Sequence, residues 1–79
     1  MIVKEFIDIH KEELRPYCNN PTSFFNLDIY NCNEPYSPII IPMKYLYGRK
    51  IKEVRKSSMI IDDEEIISYS LYLEEKINE

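Results

Sequence analysis

Residues 60–67 read Ile60-Ile61-Asp62-Asp63-Glu64-Glu65-Ile66-Ile67, and the fold turns on what this segment becomes. As a helix start, Asp62 is an N-cap and Glu65, three residues on, completes a capping box. Ile61 and Ile66 then stand where a hydrophobic staple belongs, and the acids of the first turn suit the helix dipole. Ile66, Tyr69, Leu73 and Ile77 would form the apolar stripe. As a strand, Ile67, Tyr69, Leu71 and Leu73 alternate with Ser68, Ser70 and Tyr72, and residues 62–65 form a hairpin loop. Three agreeing start signals and the ending LEEKINE favour a helix over 62–77. The strand alternative would make residues 38–75 a β-meander.

Upstream, Val3, Phe6, Ile7 and Leu14 share one helical stripe, which predicts an amphipathic helix over 3–15 that Pro16 ends. Residues 16–22 carry Asn19-Asn20-Pro21 and read as a turn-rich connection. Phe25, Leu27 and Ile29 alternate with Asn26, Asp28 and Tyr30, the pattern of a half-buried strand. After a second connection, Ile39 to Tyr47 is a strand that Pro42 confines to an edge or bends. Gly48, the only glycine, is the natural turn before a third strand, Lys50 to Lys56. The chain has no alanine, thirteen isoleucines and seven tyrosines, so propensity leans to strand and helices must rest on pattern and caps. The expected fold is a single small α+β domain over 1–79: N-terminal helix, three-stranded antiparallel sheet, C-terminal helix.

Seventy-nine residues leave no room for a second domain. No apolar run approaches the about 18 residues of a membrane span, and the start MIVKEFIDIHKEEL is too charged for a signal peptide. A cytoplasmic protein without membrane contact is expected. Cys18 and Cys32 are too few for a disulfide scaffold and read as two free thiols. His10, the only histidine, lies near the rim of the first helix's apolar stripe and reads as a half-buried helix residue. The spacing from His10 through Cys18 to Cys32 contains no close-paired ligands, so no metal is expected. One glycine cannot build a phosphate-cradling loop. Neither a catalytic residue nor a cofactor is expected, and the chain reads as a non-enzyme.

The net charge of −4 is unevenly spread. Residues 43–58 carry +5, against −3 before them and −6 after them. The basic stretch holds Tyr45, Tyr47, Arg49, Lys50, Lys52 and Arg55 on one expected hairpin, and tyrosine and arginine are the usual anchors of interfaces. These six are the candidate interaction surface, with Tyr30 and Tyr36 second. The expectation is a protein-binding module of inhibitor, immunity or regulatory type. Small size and AT-type composition suggest a phage or other mobile element. A homodimer is also open, because an exposed edge and a small core invite association. Nucleic-acid binding by the basic hairpin is the alternative, opposed by the acidic whole-chain charge. The C-terminal acids acting as a nucleic-acid mimic is a second alternative.

Overall fold

Asp62 and Asp63 form a two-residue turn with φ of 51° and 64°, the left-handed values that a type I′ hairpin needs at both positions. Aspartate tolerates this region because its short polar side chain bonds locally. The computed structural model describes residues 1–17, 20–32, 34 and 36–75. Its elements in chain order are α1 (Val3–Ile9), β1 (Pro16–Tyr17), β2 (Asn20–Phe24), β3 (Leu27–Tyr30), a single 3₁₀ turn (Met43–Tyr45), β4 (Ile51–Ile61) and β5 (Glu64–Leu73).

The C-terminal helix expected over 62–77 is therefore corrected: its described part is the turn and strand β5. A helical stripe through Ile66, Tyr69 and Leu73 would have left Leu71 outside. The strand's alternation instead puts Tyr69, Leu71 and Leu73 on one face, where Leu71 and Leu73 are wholly buried. β4 pairs antiparallel with β5 from Ile61↔Glu64 to Ile51↔Leu73, with a bulge between Ile51 and Glu53.

The sheet order is β3-β5-β4, and β3 runs parallel to β5, from Leu27↔Tyr69 to Tyr30↔Tyr72. The sheet is thus mixed rather than antiparallel, because the expected middle strand does not form. Pro38 and Pro42 bracket Ile39–Ile41 and remove ladder donors at both ends. This stretch carries the isolated bridge Tyr30↔Pro38 and a backbone bond from the Ile39 N–H to the Ile29 carbonyl at 2.7 Å. Met43–Tyr45 then winds into the 3₁₀ turn. Gly48 follows it with no positive φ and open space at its Cβ position, so it links no hairpin.

Pro16–Tyr17 and Asn20–Phe24, read in part as a connection, pair as β1 and β2 in a small antiparallel ladder. Helix α1 stops at Ile9, short of the expected 3–15. The chain goes on in turns over residues 10–13, where the Glu13 and Leu14 N–H groups both bond the His10 carbonyl. It is then fixed by Asn26, which is fully buried in the turn before β3. Its side-chain amide donates to the carbonyls of Glu13 and Ile67, each at 2.8 Å, and its Oδ1 accepts the Arg15 N–H at 2.8 Å. These bonds hold residues 13–15 in a non-helical path while Leu14 still reaches the core. Val3 and Phe6 of α1 pack with Leu27, Ile29, Leu46 and Leu71 on one face of the sheet. Among the described residues, no helix is long and apolar enough to cross a membrane. Cys32 is half-buried and free among the described residues, and Cys18 lies outside them, so the expectation of two free thiols is met only as far as Cys32.

Candidate interaction surface

The six residues singled out by sequence do not share one hairpin, because the hairpin turns at Asp62-Asp63 and not at Gly48. Tyr45 sits exposed on the 3₁₀ turn, with the Lys44 ammonium 5.2 Å from its ring centroid. Tyr47 is half-buried against the core, and its carbonyl accepts the Lys4 N–H at 3.0 Å. Arg49 and Lys50 are exposed in the approach to β4, where the Arg49 carbonyl accepts the Val3 N–H and Ile2 bridges Lys50. Lys52 is the extra residue of the bulge. Of the six, only Arg55 lies in the regular part of the sheet.

Strand periodicity puts Arg55 on the face opposite the core. Val54 faces Leu71 on the covered side, so Glu53 and Arg55 point the other way, with Tyr72 and Ser70 of β5 across from them. Tyr72 in turn faces Tyr30 of β3. The two tyrosine rings stack with centroids 5.1 Å apart and an interplanar angle of 16°. The Arg55 guanidinium lies 4.8 Å from the Tyr72 centroid, and its Nε donates to Glu53 Oε2. Tyr30, Tyr72 and Arg55 thus form a row across all three strands. Glu53 pairs with Arg55 and holds its pKa above the usual value. Burial raises the Tyr30 hydroxyl, with Asp28 and Tyr72 adding to the effect and a hydrogen bond with Ser70 opposing it. Desolvation also raises the Asp28 carboxyl.

Tyr30 was a second candidate from sequence, and Tyr36 is almost fully exposed on the loop beyond it. Tyr72 was missed. The signal that would have found it is the alternation of Tyr72 with Leu71 and Leu73, which belongs to the strand reading.

No family model matches the chain, and neither a curated protein nor a solved structure does.

A second cluster joins the end of α1 to β5. The Tyr69 hydroxyl donates to Glu13 Oε2 at 2.7 Å, and Glu13 Oε1 lies 2.9 Å from His10 Nδ1. The His10 ring packs 4.2 Å from Phe6 and 4.9 Å from Tyr69, measured between centroids. Hydrogen bonds from Tyr69 and His10 lower the Glu13 pKa, while burial and then the bond to Glu13 push Tyr69 up to about 12. Tyr69 therefore stays protonated as a donor and Glu13 stays a carboxylate at neutral pH. The cluster fastens the turn after α1 to the central strand. Among the described residues, no three His, Cys, Asp or Glu side chains are grouped to hold a metal.

Proposed function

We propose that the chain is a protein-binding module, of inhibitory or regulatory type, that occupies a partner through the uncovered face of its sheet. The observation that carries this reading is the Tyr30–Tyr72–Arg55 row. Stacking of the two rings and the bond from Arg55 to Glu53 restrict these side chains before contact, which lowers the side-chain entropy lost on binding. Tyrosine and arginine are also the side chains that most often dominate interface energetics.

The nucleic-acid alternative is weaker on this face. Among the described strand residues of this face, Asp28 and Glu53 stand beside one cation, Arg55, a balance that repels phosphate. The mimic alternative loses part of its charge to Arg15, whose Nη2 donates to Glu64 Oε1 at 3.0 Å.

Affinity purification from the native host with the wild type and with Tyr72→Ala/Arg55→Ala tests the proposal. A single stoichiometric protein held by the wild type and lost by the double variant is the expected result. Recovery of nucleic acid that high salt releases, or a protein partner that the double variant still holds, would overturn it.

A further inference from the structure

We infer that the outer edge of β4 is a self-association surface, joining two copies of the chain about a two-fold axis at Ser57. In the order β3-β5-β4, β4 is an edge strand. Its first residues are already closed off, since Ile2 bridges Lys50 and the Ile51 N–H donates to the Met1 carbonyl at 2.9 Å. At the other end the chain turns at Asp62. Between these limits residues 52–61 have no backbone partner on their outer side among the described residues. A long exposed edge with neither proline nor glycine is a template for pairing.

The direction of the free groups follows from the turn. Ile61 and Glu64 flank a two-residue loop and form a hydrogen-bonded pair, so Val54, Lys56, Ser58 and Ile60 aim their N–H and C=O outward. Tyr69 agrees with this parity. It stands opposite Lys56, and its N–H donates away from β4, to the Asn26 carbonyl at 2.9 Å.

Residue chemistry selects the register. Two copies related by a two-fold axis keep facing residues on one side of the sheet, so the axis must pass through a residue. Ser57 is the midpoint of 53–61, and pairing about it uses this whole stretch without reaching Met1 or Ile2. Val54 and Ile60, 44% and 76% exposed in the single chain, then cover each other across the two copies. Arg55 faces Met59, Lys56 faces Ser58 and Glu53 faces Ile61, with no like charges opposed. The basic half of each strand lies along the half of the other that ends in Asp62, and Lys52 reaches that aspartate. An axis at Lys56 would set that lysine against its own copy. One at Ser58 would set Glu53 against Asp63 and Val54 against Asp62. Parallel pairing in register would stack Arg55 and Lys56 on themselves. The assembly is a continuous six-stranded sheet with no free β4 edge. Because it rests on the strand's edge and not on its outer face, it stands independently of the proposed partner surface.

Light scattering across rising concentration is expected to show a mass about twice the 9.5 kDa of the chain. Register is read in a Cys18→Ser/Cys32→Ser background. Facing residues fall in the about 4.4–6.8 Å Cα range of a disulfide, so Ser57→Cys crosslinks on mild oxidation and Met59→Cys does not. Lys56→Pro removes an outward donor without touching the β5 ladder, and it is expected to give a folded monomer by circular dichroism. A monomer mass for the wild type at every concentration would overturn the inference. Equal crosslinking at 57 and 59 would overturn it too, as would a dimer that survives in folded Lys56→Pro. If Lys56→Pro unfolds, the cysteine pair decides alone. Lost partner binding with an intact dimer would count only against the proposed function.

Discussion

β4 and β5 are joined by a two-residue turn and paired along nearly their whole length, yet they live in different surroundings. β5 is central and alternately buried, whereas β4 is exposed at almost every position. Directly paired Val54 and Leu71 show the contrast: they point to the same side of the sheet, but Leu71 is 0% exposed and Val54 44%. The difference lies in what covers each strand. α1 packs Phe6 against Tyr69 of β5, and β3 and β4 flank β5 on both edges, whereas β4 has a strand on one edge only among the described residues. Strand propensity is therefore shared by the two, while burial, and with it stability, is concentrated in one.

The sharpest way to break this contrast is truncation on both sides of one pair. Leu71→Ala is expected to lower unfolding free energy by about 3 kcal/mol, and Val54→Ala by less than about 1 kcal/mol, in urea titrations at low protein concentration. Equal losses would mean that β4 is covered by more than the single chain supplies.

A pH series probes how β5 is fastened beneath α1. Tyr69 titrates near the ordinary 10 when unfolded and at about 12 when folded. Because the folded value is raised, its contribution is fully present below pH 10 and is lost as pH climbs through about 12. Midpoints should fall over this window, and Tyr69→Phe should flatten the fall relative to the wild type. An unchanged slope in Tyr69→Phe would remove this hydroxyl from the account.

The smallest effect concerns the turn. Replacing Asp62-Asp63 by Asn-Gly relieves a non-glycine residue at φ 64°, and it is expected to raise stability by about 1 kcal/mol. A loss would show that the aspartates do more than tolerate the turn.

Much of the core was legible, because periodicity is local. Val3, Phe6 and Leu14 were readable from the first stripe, and Leu27 and Ile29 from strand alternation. The C-terminal segment was misread because Asp62, Glu65, Ile61 and Ile66 satisfy two sets of local rules at once. An aspartate that caps a helix also tolerates the left-handed turn of a hairpin. What separates the two is Leu71, buried only in the strand, and the parallel pairing with β3 that surrounds it. That pairing is distant in sequence and leaves no local signature. Asn26 was legible only as the polar side of a strand, since its three partners lie at residues 13, 15 and 67. The candidate surface was half visible: Arg55 and Tyr30 were named, and Tyr72 was hidden by the helical reading. Gly48 drew the expected hairpin to the wrong place, because a lone glycine is a turn signal even where no positive φ is used.

The parallel pairing also orders events in time. The β4–β5 hairpin closes over short distances along the chain, whereas Leu27 meets Tyr69 across 42 positions. Nearby contacts cost less loop-closure entropy than distant ones, so the hairpin is expected to assemble first and β3 to dock late. In that interval Leu71 and Leu73, fully buried in the folded chain, would stand in water on a ribbon with two bare edges, a stage at which crowded refolding chains are prone to stick to one another. Pulse-labelled hydrogen exchange would read this order, with amides between β4 and β5 protected ahead of those between β3 and β5.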